Sequence, residues 1–429
     1  MFNTPVHQPV SHIMRPEKNV PEHGVIERFL QNSWRAFKSP LIRLRFDPDS
    51  FTRQVITIQE QCRGLDDQAL KQRATDLRQS LSGKEYEQSR IAEAFALVRE
   101  ASRRTLGMEH FPSQLTGGLA MFYGNIAEMQ TGEGKSLTAL LPACAAALKG
   151  IPVDIITVND YLAARDASEL KPVFDYLGLS VGCVIHGMTP AERREQYAMN
   201  VVYCTNKELV FDYLKDKILL KDRNHHLQLH AERLCGNDRL AEQCLLRGLH
   251  YAIIDEADSV LMDEARTPLI ISGKMESNHD QEEMYRQGIE IARELAAGID
   301  FKVLKSERNL LLTEAGKEKV QAAGQALAGY WKSKVRSYEI VTQALMALHL
   351  FECDKHYLVR DGKVEIVDEH TGRVMESRSW ERGLHQLIEI KEGCELTRPR
   401  QTLARISYQG FFRKYHHLCG MTGTASEVA

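Results

Sequence analysis

The stretch IAEMQTGEGKSLT, residues 126–138, decides the fold of this chain. It joins a short apolar run to a glycine turn and then places Lys135 and Ser136 at the start of a helical pattern. Gly132 and Gly134 allow a tight turn in which backbone N–H groups point at phosphates, and the helix N-terminus adds its positive dipole end. Lys135 supplies a positive charge between the phosphates, and Ser136 can ligate Mg²⁺. The stretch therefore predicts a phosphate-binding loop.

Short β-branched runs and helical patterns alternate from this loop onward. The predicted strands are Ile126–Met129, Val153–Val158, Val181–Ile185, Val201–Cys204 and Ala252–Ile254. The predicted helices between them are Ser136–Lys149, Leu162–Leu177 and Glu192–Met199. Strands and helices that alternate at this spacing predict a parallel sheet with helices on both faces. Helical patterning also fills residues 50–107, so we expect an α/β fold preceded by N-terminal helices.

A pair of carboxylates follows an apolar run in HYAIIDEAD, residues 250–258. Asp255 and Glu256 stand at the carboxyl end of that predicted strand, and in a parallel sheet this edge faces the ligand. Asp255 would hold Mg²⁺ through water, and Glu256 would orient and deprotonate the attacking water. Adjacent carboxylates at a strand end also occur as helix N-caps. Together with the phosphate loop, however, they predict a nucleoside-triphosphatase core that works by positioning and charge neutralisation.

Gln114, in HFPSQLTGG just upstream of the loop strand, is a candidate for recognising the base. A glutamine at this spacing can hydrogen-bond an adenine edge through its amide oxygen and its amide nitrogen. It would thereby select ATP over GTP. Taken alone, this glutamine would be an ordinary surface residue, and its distance from the phosphate loop is what makes it a predicted adenine contact.

The composition of the 429-residue chain excludes several classes of protein. Its 55 basic and 58 acidic residues give a net charge of −3, which argues against a constitutive nucleic-acid binder. No apolar run approaches the roughly 20 residues of a membrane-spanning helix, and the N-terminus lacks the pattern of a secretory signal. Nine cysteines without a CxxC pair predict reduced thiols in a cytoplasmic protein rather than a zinc site.

The N-terminal residues 1–45 differ from the rest of the chain. We expect a mobile tail over residues 1–24, which are rich in proline and histidine and have no apolar period. Residues 28–45 carry five positive charges and no negative one, interleaved with aromatic and aliphatic residues. Such a basic amphipathic segment can lie on an anionic membrane surface. The alternative is a helix that packs on the protein itself or on a partner.

Two later regions complete the predicted organisation. Residues 274–350 lose the alternation of strands and helices and are predicted to be helical. In KHYLVRDGKVEIVDEHTGRV, residues 355–374, the Asp361-Gly362 pair between alternating apolar runs predicts a β-hairpin. Helical patterning returns over Tyr408–Leu418, which leads into a turn rich in glycine and threonine.

Longer motifs extend across most of the chain. They are AFALVREASRRTLGMEHFPSQLTGG, IAEMQTGEGKSLTALLP, TVNDYLAARDA, YCTNKELVFDYLKD, HYAIIDEADSVLMDEARTPLIISG, VDEHTGRVME, GLHQLIEIKEG, QTLARISYQGFFRKY and GMTGTASE. With these motifs the chain resembles the SecA protein-translocase ATPase family, and DEARTPLIISG and VDEHTGR are the most diagnostic. The resemblance implies a P-loop, RecA-like motor domain over residues 46–272 and 400–429. It also implies an inserted α+β domain, like the preprotein cross-linking domain of the family, over residues 273–399.

The resemblance implies roles for the matched residues and makes ATP and Mg²⁺ the expected cofactors. Gln114 would contact adenine, and Asp255 and Glu256 would be the catalytic carboxylates. Ser136 and Asp255 would hold the Mg²⁺ that accompanies the nucleotide. The implied phosphate loop is Gly132, Glu133, Gly134, Lys135 and Ser136. The residues implied to couple nucleotide state to movement are Arg165, Asp166, Thr422, Gly423 and Thr424.

The chain departs from the family pattern in several places. It ends at MTGTASEVA, whereas family members continue into a second motor domain that supplies an arginine finger. Such an arginine is worth roughly 10³–10⁵ in rate, so we expect poor hydrolysis by this chain alone. Glu109 and Pro112 replace the basic and acidic residues usual near the base-recognising glutamine, and DEAD replaces DEVD. Residues 219–248 are longer and richer in histidine than the family's linker, which predicts a specialised relative.

The histidines of that region are interpreted as part of a solvated loop rather than as a metal cluster. They are His225, His226 and His230, together with His250 just after the region. The five-residue spacing of His225 and His230 is a poor match to one helix face, because residues on one face are three or four apart.

The leading hypothesis is an ATP-driven export motor that takes unfolded preproteins to a SecYEG-type membrane channel. It places the chain in the cytoplasm, peripherally at the inner face of the plasma membrane. Residues 28–45 would contact anionic lipid, nucleic acid is not expected as a partner, and a homodimer stays open. One alternative is a non-catalytic, nucleotide-gated adaptor that binds clients. The other is a DEAD-type nucleic-acid helicase, which tight and salt-sensitive RNA binding would support.

Overall fold

The chain folds into two compact units, and the computed structural model describes most of both. The described residues are 17–18, 47–81, 87–130, 132–220, 242–274, 279–304, 309–325, 327, 329–368, 372–375, 379–397 and 400–424. The predictions for the tail, for the basic segment over residues 28–45, and for His225, His226 and His230 lie outside them, apart from Glu17 and Lys18 in the tail. The larger unit is Met1–Ile271 with Leu403–Ala429, and the smaller unit is Ser272–Thr402.

A six-stranded parallel sheet forms the centre of the larger unit. Its strands are β1 (Ile126–Glu128), β2 (Val153–Thr157), β3 (Val181–Val184), β4 (Val201–Thr205), β5 (Tyr251–Asp255) and β13 (His417–Thr422). They follow the order β1-β13-β5-β2-β4-β3 across the sheet. Strands β2 and β4 are buried along their whole length, which explains their nearly continuous apolar sequence. The predicted α/β fold with a parallel sheet is confirmed.

The helices of the larger unit flank both faces of this sheet, and the three N-terminal ones pack against other helices. The helices of the unit are α1 (Pro48–Arg63), α2 (Asp67–Leu81), α3 (Gln88–Leu106), α4 (Pro112–Phe122), α5 (Lys135–Leu148), α6 (Asp160–Tyr176), α7 (Pro190–Tyr197), α8 (Asn206–Leu220) and α13 (Tyr408–Phe412). Ile155 and Ile156 of β2 belong to two different apolar cores, because successive strand side chains point to opposite faces. The N-terminal helices join the first core through Phe51, Phe95 and Phe122, whose rings meet edge to face. In the described part of the chain, none of the helices is long and apolar enough to cross a membrane.

Strand β13 corrects the prediction that Tyr408–Leu418 is helical. Helix α13 ends at Phe412, and the chain enters β13 at His417. In the sheet β13 lies between β1 and β5, with Gly420 beside Ile254. A side chain at Gly420 would place its Cβ 2.9 Å from the carbonyl oxygen of Ile254, so this position requires glycine. Glycine and histidine interrupt the apolar pattern, and only pairing with distant strands makes this segment a strand.

Two further strands connect the units. They are β6 (Pro268–Lys274) and β12 (Arg400–Ser407), and they pair with each other in a sheet of their own. The boundaries between the units fall within these strands, after Ile271 and after Thr402. The chain therefore leaves the larger unit along one strand of this pair and returns along the other.

The smaller unit combines helices with two small sheets. Its helices are α9 (His279–Arg293), α10 (Glu314–Gln325), α11 (Lys334–His349) and α12 (Leu384–Glu392). Its strands are β7 (Phe301–Leu304), β8 (Asn309–Leu312), β9 (Tyr357–Arg360), β10 (Lys363–Val367) and β11 (Val374–Met375). Strands β9 and β10 form the predicted hairpin, with Asp361 and Gly362 at φ 50° and 70°. Strands β7 and β8 pair within residues 274–350, so the prediction of an all-helical region is wrong; four-residue strands are too short to show a period.

Candidate active site

The predicted phosphate loop lies between β1 and α5, at the carboxyl edge of the sheet. Gly132 and Gly134 take φ values of 89° and 79°, a backbone region that is costly for other residues. Gly134 is required for a second reason, since a Cβ there would lie 2.5 Å from the side-chain nitrogen of Gln114. The loop therefore depends both on local turn chemistry and on a close approach from α4.

Gln114 lies in the first turn of α4 and is buried, with 4% of its surface exposed. Its side-chain oxygen accepts a hydrogen bond from the backbone N–H of Phe111, at 2.9 Å. Its side-chain nitrogen donates to the carbonyl of Glu133 in the phosphate loop, at 2.7 Å. The structure thus places this residue against the predicted phosphate loop, where its amide links α4 to the turn. Its contact with adenine stays a prediction.

Glu133 braces the loop from within. Its carboxylate accepts a hydrogen bond from the backbone N–H of Gln130, at 2.7 Å, and its own N–H donates to the carbonyl of Gln130, at 3.1 Å. An acidic side chain therefore already occupies one backbone N–H of the loop. A phosphate oxygen that used the same N–H would have to displace it.

Lys135 and Glu256 form an ion pair at the loop, although they are 121 residues apart in the chain. Lys135 Nζ lies 2.5 Å from Glu256 Oε1, and the two side chains are 12% and 38% exposed. Glu256 directly follows β5 and has a φ of 55°, a left-handed conformation that costs about 1 kcal/mol or more outside glycine. The sharp turn after β5 therefore brings a carboxylate to the lysine that is predicted to bind phosphate, at the cost of backbone strain.

Asp255, the last residue of β5, lies in an environment that disfavours negative charge. Burial raises its pKa from 3.8 to about 6; the carboxylates of Glu256 and Asp166 add to this shift, and Lys135 opposes it. A divalent cation beside Asp255 would relieve the repulsion, because it favours the ionised carboxylate. Asp255 therefore fits the metal-binding role that the sequence predicts.

Ser136 donates a hydrogen bond to Asp166 of α6, with 2.9 Å between Oγ and Oδ2. Arg165 holds the other oxygen of this carboxylate through Nε at 2.8 Å and Nη2 at 2.6 Å. Asp166 itself is only 4% exposed. The structure thus brings the two predicted coupling residues of α6 into one chain of contacts with the loop serine. A displacement of Ser136 would act directly on α6.

The other predicted coupling residues, Thr422, Gly423 and Thr424, stand at the end of β13. The carbonyl of Thr422 accepts a hydrogen bond from the N–H of Met129, directly after β1, at 2.8 Å. The hydroxyl of Thr424 donates to the carboxylate of Asp258, just after β5. Burial opposes ionisation of Asp258, but hydrogen bonds from Thr424 and Thr422 outweigh it and hold the pKa below its usual value. This segment therefore ties β13 to the loops that follow β1 and β5.

Two aromatic residues beside Gln114 were not singled out from the sequence. His110 is fully buried, and its Nε2 lies 2.8 Å from the carbonyl of Leu137 in α5. Because a carbonyl only accepts, Nε2 carries the proton, and burial lowers the pKa to about 4, so the ring is neutral near pH 7. Phe111, in contrast, is 69% exposed. The sequence signal for both is only their position just before Gln114.

Comparison with known proteins gives a consistent result. A family model described as the SecA DEAD-like domain matches residues 38–429. Protein translocase subunit SecA 2 of Nitrosospira multiformis is 45% identical over 419 residues, which are 96% of this chain and 62% of that protein. SecA 2 of Bordetella avium is 50% identical over 365 residues, which are 85% of this chain and 55% of that protein. SecA of Rubrobacter xylanophilus is 43% identical over 376 residues, which are 88% of this chain and 39% of that protein. The chain thus spans between 39% and 62% of the length of these relatives.

Proposed function

The chain belongs to the SecA family, and on this premise we propose that it is the ATP-binding motor part of a translocase that exports unfolded proteins. The observation that carries the proposal is the 2.5 Å ion pair between Lys135 and Glu256, with Asp255 beside it. A phosphate-binding lysine, a candidate base and a candidate metal ligand thereby meet at one edge of the sheet. The adaptor and helicase alternatives are not favoured, since the curated relatives are named as protein translocase subunits.

Nucleotide binding would exchange the partner of Lys135. Phosphate oxygens held by the loop N–H groups compete with Glu256 for the ammonium group of Lys135. Once that ion pair opens, the carboxylate of Glu256 is free to orient a water molecule and accept its proton. The Lys135–Glu256 pair would therefore keep the base unavailable until phosphate reaches the loop.

Magnesium would be held jointly by the nucleotide and by this chain. Among the described residues, no group of three or more His, Cys, Asp or Glu side chains could hold a metal ion. Mg²⁺ in nucleotide sites commonly uses one or two protein ligands together with substrate phosphates, which fits Ser136 and Asp255. When bound, it neutralises charge on the phosphates. The hydroxyl of Ser136 can donate its hydrogen to Asp166 and still offer an oxygen lone pair to the ion.

The contact between Ser136 and Asp166 would carry the nucleotide state into the rest of the larger unit. Asp166, which Arg165 holds through its other oxygen, lies on α6, so a change in its contact with Ser136 acts on that helix. The bond between Thr424 and Asp258 gives β13 a parallel link to the segment after β5. We propose these two links as the coupling elements of the motor.

Gln114 is proposed to recognise adenine without leaving the loop. A carboxamide has two N–H donors and two oxygen lone pairs, and the contacts with Glu133 and Phe111 use one of each. One donor and one acceptor remain, which match an adenine edge. The same side chain can therefore brace the loop and select the base.

The partners proposed for the whole protein follow from the family. They are unfolded preproteins as clients and a SecYEG-type channel as the docking partner, at the inner face of the plasma membrane. We propose that the inserted region over residues 273–399 contacts clients and that residues 28–45 contact anionic lipid. Homodimer formation is proposed as an additional property of the protein.

Equilibrium binding of a fluorescent ATP analogue in Mg²⁺ buffer, followed by phosphate release from ATP, tests the function. Lys135→Ala is expected to abolish analogue binding, because the charge that faces the phosphates is lost. Glu256→Gln is expected to bind the analogue about tenfold more tightly, since a competing ionic hydrogen bond is removed. In a full-length motor that carries the second motor domain, Glu256→Gln should slow phosphate release about 10²–10⁴-fold, the usual contribution of a general base.

Lys171→Ala is the matched control. Lys171 forms an exposed pair with Asp175 on α6, at 3.3 Å, and lies outside the site. It should leave both binding and phosphate release unchanged. Wild-type affinity in Lys135→Ala would overturn the proposed site, and unchanged phosphate release in Glu256→Gln would show that another group is the base.

A further inference from the structure

A cluster of polar side chains joins helix α1 to the segment that leads into the nucleotide site. This cluster, here called the Glu109 clamp, consists of Gln59 and Arg63 on α1, Arg99 on α3, and Glu109 between α3 and α4. Oε1 of Glu109 accepts hydrogen bonds from Gln59 Nε2 at 2.8 Å and from Arg63 Nη2 at 2.7 Å. Arg99 Nη2 lies 3.3 Å from the same oxygen. One negative charge therefore gathers donors from two helices.

His110, the residue after Glu109, connects the clamp to helix α5 on the C-terminal side of the phosphate loop. The carbonyl of His110 accepts a hydrogen bond from Arg99 Nε at 2.9 Å, which fixes the backbone next to the clamp. The ring of His110 donates to the carbonyl of Leu137 at 2.8 Å. Leu137 is in the first turn of α5, directly after Lys135 and Ser136. The position of Glu109 is therefore transmitted to the helix that begins the site.

A second branch reaches the near side of the loop. The backbone N–H of Phe111 donates to Gln114, which in turn donates to the carbonyl of Glu133. Glu133 and Leu137 lie on either side of Lys135 in the chain. The segment after Glu109 thus holds the loop at two points, one before and one after the phosphate-binding lysine.

Burial makes this path stiff. Gln59 is 1% exposed, His110 is 0% exposed and Gln114 is 4% exposed. Water cannot readily replace partners in such a packed interior, so a shift of α1 is passed on rather than absorbed. The outer end of the clamp is accessible, since the side chains of Arg63 and Glu109 are 48% and 30% exposed. A substitution at that end perturbs the path without opening the core.

We propose that Glu109 is a positioning residue for nucleotide binding, which holds α1 against the 109–114 segment and so fixes the two supports of the phosphate loop. This inference rests on the proposed function, because it assumes that the loop binds nucleotide. The carboxylate of Glu109 contacts the clamp residues rather than the loop itself. We therefore expect its alteration to change nucleotide affinity and to leave kcat at saturating ATP unchanged.

Glu109→Gln and Arg63→Gln test the clamp from its two sides. Each variant is expected to weaken binding of the fluorescent ATP analogue, Glu109→Gln by about tenfold and Arg63→Gln by about threefold, within the range of coupling in one network. The double variant should bind no more weakly than Glu109→Gln alone, because Arg63 acts through Glu109. KM for ATP should rise by the same factors, whereas kcat stays at the wild-type value.

Glu93→Gln is the matched control. Glu93 also bridges two helices, since its carboxylate pairs with Arg73 of α2 at 2.9 Å and with Arg90 at 3.0 Å. It lies outside the path from Glu109 to the loop. Glu93→Gln should therefore lose about as much thermal stability as Glu109→Gln does. It should nevertheless bind the ATP analogue with wild-type affinity.

Amide hydrogen exchange of residues 133–138, measured without nucleotide, separates this inference from the proposed function. Faster exchange at these residues is expected in Glu109→Gln and not in Glu93→Gln, together with the loss of affinity. If the wild type binds no ATP analogue, both the function and the inference are overturned. If the wild type binds and Glu109→Gln matches it in affinity and exchange, the inference alone is overturned. If Glu93→Gln loses as much affinity and exchange protection as Glu109→Gln, the effect of Glu109 is one of general stability. That result would also overturn the inference.

Discussion

Two carboxylates inside the larger unit have pKa values shifted in opposite directions. Burial raises the pKa of Asp255 at the sheet edge to about 6, and the neighbouring Glu256 adds to that shift. Glu100 on α3 is fully buried, and burial alone would raise its pKa too. Hydrogen bonds from Arg103 and Arg104 outweigh that effect and lower the pKa of Glu100 to about 2.

The contrast separates scaffold from site. Around Glu100, Arg103 and Arg104 approach the carboxylate to 2.7 Å, so its charge is fully matched within the fold. Around Asp255, negative charge exceeds positive charge, and Lys135 is shared with Glu256. Folds retain such unmatched charge mainly where a ligand completes the site. The sheet edge is therefore electrostatically unfavourable by itself, which is consistent with the proposal that a cation and phosphates bind there.

The largest effect is expected from Glu100→Gln. The pKa of Glu100 is lower in the folded chain than in the unfolded one, about 2 against 4.5, so its charge stabilises the fold above pH 4.5. That contribution is lost as the pH falls from 4.5 toward 2. Glu100→Gln should lower the free energy of unfolding by about 3 kcal/mol at pH 7, since two arginines lose their partner. Urea denaturation at pH 7 measures this difference in unfolding free energy between the wild type and Glu100→Gln. The same measurement at pH 3 should give a smaller difference.

An exposed pair provides the control for that experiment. Glu282 accepts from Arg286 one turn along α9 at 2.9 Å, with both side chains about half exposed. Glu282→Gln should cost less than about 0.5 kcal/mol at either pH. A cost for Glu100→Gln that is equally small, or independent of pH, would remove the contrast between the two carboxylates.

Asp255→Asn should raise the free energy of unfolding, whereas Glu100→Gln lowers it. The pKa of Asp255 is higher in the folded chain, about 6 against 3.8, so wild-type stability falls as the pH rises from 4 to 6 and the side chain ionises. Asparagine removes that cost. In nucleotide-free buffer with chelator, Asp255→Asn should be about 2 kcal/mol more stable than the wild type at pH 8 and equal to it at pH 4. A less stable variant at pH 8 would mean that the fold already satisfies this charge.

The parts of the fold that could be predicted from the sequence are those set by local chemistry. The phosphate loop follows from Gly132 and Gly134, and the β9–β10 hairpin from Asp361 and Gly362, because each requires positive φ at fixed positions. Strand β13 could not be predicted in this way. Its neighbours β1 and β5 lie far back in the sequence, and Gly420 is in the strand because Ile254 approaches it closely.

The candidate site divides along the same line. Lys135 and Glu256 each follow a strand of one parallel sheet, so the sequence predicts that both lie at a common edge, and the structure places them in contact. The Glu109 clamp depends on how α1 packs against α3. Gln59 and Arg99, its two least exposed members, look like ordinary polar residues of helical stretches, so periodicity could not reveal their common partner.

The smallest effect concerns backbone strain at the sheet edge. Glu256→Gly and Glu256→Gln both remove the carboxylate that pairs with Lys135, so the difference between them isolates the φ of 55° at this residue. Glycine adopts that conformation without a Cβ clash, and Glu256→Gly should be more stable than Glu256→Gln by about 1 kcal/mol in urea denaturation.

Glu264 gives the matched pair in an ordinary conformation, since it has a φ of −92° and its carboxylate accepts from Asn206 at 2.9 Å. There the order should reverse, with Glu264→Gly less stable than Glu264→Gln by about 0.5–1 kcal/mol, because glycine loses more backbone freedom on folding. If Glu256→Gly is less stable than Glu256→Gln, which is the order expected at Glu264, then Glu256 is not strained. The expected reversal, together with slow phosphate release in both Glu256 variants, would show that the fold gives up stability at this residue to place the base, whereas at Glu100 the native charge stabilises the fold.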